Sequence, residues 1–110
     1  MDISTKEMKR VSLVTVSGRV DSATAPDLEK VLQAFIQAGR SQIVVDLKDV
    51  SYMSSAALRT LISALKAAKD SGGDVRLAQP SERVREVLKL AGLNAIFTIY
   101  DDVVEAVGSF

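Results

Sequence analysis

Two adjacent hydroxyls, Ser54 and Ser55, stand between an apolar run, Ile43 to Leu47, and a stripe of helically spaced apolar residues that begins at Leu58. A serine at a helix start faces unpaired backbone N–H groups and the positive end of the helix dipole. It can cap the helix through its oxygen, or carry a phosphate in a favourable field. The residue types allow either chemistry. The other groups that could react or bind are carboxylates: Asp46 in the apolar run, Asp21 shortly after Gly18, and the pair Asp101-Asp102.

Most catalytic readings of these groups fail on what the chain lacks. It has no His and no Cys, which removes imidazole acid–base catalysis, thiol chemistry, disulfides and the usual zinc sites. Asp46 as a receiver-type phosphoacceptor would need an acidic pair at the end of the first long strand to hold Mg²⁺, and that strand ends Ser17-Gly18-Arg19. No glycine loop followed by Lys-Ser/Thr is present for a nucleotide, and Gly72-Gly73 reads as a helix stop. Asp101-Asp102 reads as a helix cap rather than a hydrolytic pair, with Asp101 as the capping residue. No enzyme activity, cofactor or metal is expected.

The elements that position these groups follow from periodicity. Ile3 to Lys9 and Val11 to Ser17 read as two strands, which can pair antiparallel. Thr24-Ala25-Pro26-Asp27 is a helix-start pattern with Thr24 as cap, and Leu28, Val31, Leu32, Phe35 and Ile36 form one apolar stripe that ends near Gly39. Ile43 to Leu47 is a strand covered on both faces, with Asp46 near its end. Leu58, Leu61, Ile62 and Leu65 mark a second helix. Val75 to Ala78 is a further strand, and Pro80-Ser81-Glu82 opens a third helix with Val84, Val87, Leu88 and Ala91, closed by Gly92. Ala95 to Tyr100 reads as a last strand before a short helix through Val103, Val104 and Val107.

This alternation predicts an α/β fold with a mixed, mostly parallel sheet of four to five strands and about four helices, as a single domain over residues 1–110. Partner and ligand sites in such sheets lie beyond the carboxyl ends of the parallel strands, where Asp46 and the Ser54-Ser55 turn are expected. Fourteen Lys and Arg balance fourteen Asp and Glu, so no net field favours nucleic acid or an anionic membrane. The N-terminus lacks the order of a signal peptide, and no apolar run is long enough to cross a bilayer. A cytoplasmic location is expected.

The run Val45-Asp46-Leu47-Lys48-Asp49-Val50-Ser51-Tyr52-Met53-Ser54-Ser55-Ala56-Ala57-Leu58 resembles the signature of STAS domains, in particular the stand-alone bacterial anti-sigma factor antagonists. Gly18-Arg19-Val20-Asp21 with Thr24-Ala25, and Leu90-Ala91-Gly92-Leu93 with Ile96-Phe97, resemble the family's turn into its first helix and its C-terminal part. The resemblance implies that Ser55 is the phosphoacceptor of an anti-sigma factor serine kinase, which brings the ATP, and that a phosphoserine phosphatase reverses the step. The unphosphorylated form would bind the kinase and so release a sigma factor. It further implies a docking face that includes Asp21, Thr24, Asp46, Ser54, Ser55, Ala56 and Arg59.

Two positions depart from the family pattern: Ser54 stands where an Asp is usual and Ala57 where a Gly is usual. The first weakens the case for phosphorylation more than the case for binding. It leaves open a second reading, an unphosphorylated adaptor or scaffold subunit of a signalling or transport assembly, and a third, small-ligand sensing at the strand ends.

Overall fold

The computed structural model describes residues 1–110. Its elements are β1 (Asp2–Met8), β2 (Val11–Val20), α1 (Ala25–Gln37), β3 (Gln42–Met53), α2 (Ser55–Asp70), β4 (Asp74–Ala78), α3 (Glu82–Leu90), a 3₁₀ turn (Leu93–Ala95), β5 (Ile99–Tyr100) and α4 (Val103–Gly108). The five strands lie in the order β1-β2-β3-β4-β5. The β1–β2 pair is antiparallel and every later pair is parallel, the mixed, mostly parallel α/β sheet that the alternation of elements predicts.

The two faces of the sheet are covered unequally. Val14, Val16, Ile43, Val45, Leu47, Val75 and Leu77 point to one face and join Leu28 and Leu32 of α1, Leu61 and Leu65 of α2, and Val84 and Leu88 of α3 in the main core. On the other face Val11, Val44 and Ala78 meet Ala106 of α4 in a smaller cluster. Burial of these side chains is the dominant favourable term, of order 1.5–3 kcal/mol for each large one removed from water.

β3 runs six residues beyond the Leu47 expected as its end. Asp46 pairs with Thr15 and Ser17 pairs with Asp49, then Gly18 pairs with Val50 and Arg19 with Tyr52. One extra residue therefore enters β3 at each of two bulges, and its core-facing residues go from steps of two (Ile43, Val45, Leu47) to steps of three (Val50, Met53). An alternation broken in this way conceals a strand from any period-two reading. Asp46 therefore lies inside β3 rather than at its end. It does mark the end of the β3–β4 ladder, whose last pair is Asp46 with Ala78.

The C-terminal part also differs from expectation. Only Ile99 and Tyr100 form the last strand, because Gly92 in the left-handed region (φ 75°) leads into a 3₁₀ turn over Leu93–Ala95. The α4 cap is Asp102, whose carboxylate accepts the Glu105 N–H at 3.0 Å, while Asp101 pairs with Arg85 at 2.9 Å.

Candidate functional site

At the carboxyl end of β3 the chain passes from Met53, which is buried, to Ser54, whose extended backbone (φ −83°, ψ 173°) makes it the N-cap of α2. The Ser54 hydroxyl accepts the Ala57 N–H at 3.3 Å, and the Ser54 N–H donates to the Val20 carbonyl at 2.9 Å. This ties the start of α2 to the end of β2. Ser55 is the first residue of the helix, exposed, and its hydroxyl is in no hydrogen bond within the protein. The two serines are thus divided by geometry into one that caps and one that is free.

The turn that follows Val20 is held by Asp21. Its Oδ1 accepts the N–H groups of Ala23 (3.0 Å) and Thr24 (3.2 Å), and its Oδ2 accepts Arg19 Nε at 3.2 Å. Thr24, expected as the side-chain cap of α1, makes no such cap. Its oxygen instead accepts the Asp21 N–H at 2.9 Å, and its one hydroxyl proton lies between Asp21 Oδ1 at 3.2 Å and the Arg19 carbonyl at 3.1 Å. The reason is local: Asp21 and Thr24 bond to each other across the turn, so Thr24 Oγ1 is engaged upstream. Burial acts to raise the Asp21 pKa, but the hydrogen bonds from Ala23 N–H, Thr24 N–H, the Thr24 hydroxyl and Arg19 outweigh it and hold the carboxyl below its ordinary value.

Between the first turns of α1 and α2 lies an open groove of about 300 Å³, with Ser22, Ala25 and Pro26 on one side, Ala56, Arg59 and Thr60 on the other, and Glu29 and Ser63 further along. The last two are joined at 3.4 Å by a hydrogen bond from the Ser63 hydroxyl to Glu29. Arg59, four residues after Ser55 and so on the same helix face, is exposed and enters no ion pair. The fold therefore brings Asp21, Thr24, Ser54, Ser55, Ala56 and Arg59 to one corner.

Asp46 is not part of that corner. Six residues of strand lie between it and Met53, a separation of roughly 20 Å at the usual strand rise. Its Oδ1 accepts the Lys48 N–H at 3.1 Å and Gln79 Nε2 at 3.2 Å, so it supplies the acceptor that the first bulge takes from the ladder.

One contact at the corner has no signal in sequence. The Arg19 guanidinium lies 4.0 Å from the centre of the Tyr52 ring, and the two residues are register partners across β2 and β3. Only the register, which the bulges set, reveals this pair; an Arg stacked on an aromatic face is a common anchor of protein interfaces.

No group of three or more His, Cys, Asp or Glu is placed to hold a metal ion, and no helix is long and apolar enough to cross a membrane. The chain is 30% identical to the anti-sigma-B factor antagonist of Staphylococcus aureus over 90% of this chain and 92% of that one. Among solved structures it superposes on an anti-sigma factor antagonist from Mycobacterium paratuberculosis with a TM-score of 0.89, at 26% identity and coverage of 98% and 92%. The phosphorylated form of the Bacillus cell fate determinant SpoIIAA has the same fold, with a TM-score of 0.79, 17% identity and 98% of each chain covered. A family model for the STAS domain matches residues 2–106, and the chain belongs to that family.

Proposed function

We propose that this domain is an anti-sigma factor antagonist that works by partner switching. The corner formed by the Asp21 turn, the start of α2 and the groove between α1 and α2 docks onto an anti-sigma factor serine kinase and displaces the sigma factor. The kinase, which holds the ATP, phosphorylates Ser55; a phosphoserine phosphatase returns the domain to its binding form. The observation that carries this reading is the division of labour between the serines: Ser54 is spent on the cap, and Ser55 presents a free hydroxyl at the exposed first position of a helix. A phosphate there adds about −1.5 to −2 charges to a docking face that is otherwise nearly balanced, enough to oppose docking by repulsion and desolvation. Kinase and phosphatase are assigned by resemblance to the family.

Incubation with the cognate kinase and ATP, followed by intact mass measurement, tests the switch. One phosphate is expected on the native chain and on Ser54→Ala, and none on Ser55→Ala. Phosphate on Ser54 would move the acceptor. A second reading, a constitutive adaptor, draws on the Ser54 hydroxyl standing where the family places an Asp carboxylate. It predicts tight binding that ATP leaves unchanged and no mass addition.

A further inference from the structure

At the other end of β3, where Gln42 begins the strand, two cavities adjoin. One, of about 330 Å³, has apolar walls from Met8, Val11, Val107 and Phe110; the other, of about 210 Å³, is lined only by polar residues and glycine, among them Arg40 and Ser41. Lys9, Arg10 and Gln42 line both. An apolar compartment and a polar one thus share two cations and an amide as their common wall.

Neither Lys9 nor Arg10 enters an ion pair. The nearby acids are already engaged: Glu7 is 3.3 Å from Arg40 Nε, and Asp74, the register partner of Gln42, holds Arg76 at 3.1 Å. Lys9 also adopts φ 59°, a conformation that glycine takes freely and other residues take at a cost. Arg40 holds this turn by donating to the Lys9 carbonyl at 2.9 Å, to the Val11 carbonyl at 3.3 Å and to the buried Ser12 hydroxyl at 2.9 Å. Lys9 and Arg10 form the two-residue turn between Met8 and Val11, a hairpin loop in which a positive φ is usual, and the turn holds both exposed cations at the mouth of the cleft.

We propose that this double cleft binds a small anionic amphiphile, with a carboxylate or phosphate head between Lys9, Arg10 and Gln42 and an apolar body against Met8, Val107 and Phe110. The apolar walls select a hydrocarbon or aromatic body, the unpaired cations select the negative head, and the Gln42 amide can donate to it. Because this site and Ser55 lie at opposite ends of β3, the inference is independent of the phosphorylation reading.

The test is an amide chemical-shift titration of the full chain with octanoate, octanol and inorganic phosphate. Saturable shifts with octanoate are expected at Lys9, Arg10, Gln42 and Val107, with octanol and phosphate each about tenfold weaker or more, the fold-change that accompanies loss of either half of a mixed polar and apolar contact. Arg10→Ala should weaken octanoate about threefold. Lys9→Gly should weaken it similarly while leaving the melting temperature equal or higher, because glycine relieves the positive φ. A structural role for Lys9 alone would raise the melting temperature and leave octanoate binding unchanged, which overturns the proposal. So would shifts that never saturate, octanol binding as tightly as octanoate, or phosphate binding as tightly as octanoate, the last meaning an adventitious ion only.

Discussion

Asp21 keeps its negative charge among donors supplied by its own turn: two backbone N–H groups, the Thr24 hydroxyl and Arg19. Its folded pKa lies below the ordinary 3.8, so the carboxylate contributes stability that is complete above the unfolded pKa and is lost as pH falls through the folded one. Asp21→Asn is therefore expected to lower stability to urea at neutral pH, with the gap from the native chain closing in acid well below 3.8. Equal gaps at both pH values would show that packing, not charge, accounts for the effect. This residue also shows a limit of reading caps from sequence. Asp21 and Thr24 are three apart and both can cap, as Asp101 and Asp102 can; which of them does so depends on backbone angles that residue type does not determine. The serine pair was legible because a helical stripe starts four residues after Ser54 and a capping serine is common there. The free state of the Ser55 hydroxyl follows from the three-dimensional arrangement around it and has no mark in the sequence.

β3 is the element whose structure departs most from its local sequence pattern. Its first half is legible as a buried strand. Its second half, Lys48 to Met53, carries polar residues at irregular spacing because of the two bulges, and so reads as a loop, which places Asp46 at a strand end instead of inside the strand. Asp46→Ala removes the acceptor of the Lys48 N–H and of the Gln79 amide. A cost of about 0.5–1.5 kcal/mol is expected, as for a hydrogen bond lost where water can replace the partner, with faster hydrogen exchange at Lys48 and, under the proposed switch, phosphorylation of Ser55 unchanged. Loss of phosphorylation in a folded Asp46→Ala would return Asp46 to the docking face. The helices, by contrast, were read close to their true bounds, since their stripes keep one period and Gly39, Gly72 and Gly92, all at positive φ, stop the chain where a C-terminal turn needs them.

Across the molecule, packing between elements sets constraints that no local pattern announces. Gly73 ends the α2–β4 turn against the start of β3, and a Cβ there would run into the Ser41 carbonyl, the same carbonyl that accepts the Asp74 N–H at 3.0 Å. Gly73→Ala is expected to cost about 1–3 kcal/mol through overpacking, measured by urea denaturation, whereas Gly108→Ala, with open space around it, should cost far less. In sequence Gly73 reads only as half of a helix stop. The unequal coverage of the sheet was likewise hidden, because the parity that sends Val44 to one face and Val45 to the other gives no sign of how many helices lie on each. The strand order, β1 to β5 from one edge to the other, has a consequence for how the protein is made. Each strand emerging from the ribosome finds its neighbour already laid down, so the sheet can grow along one direction during synthesis without holding a gap for a later segment. Short waits between partners limit the time that bare strand edges spend open to other chains.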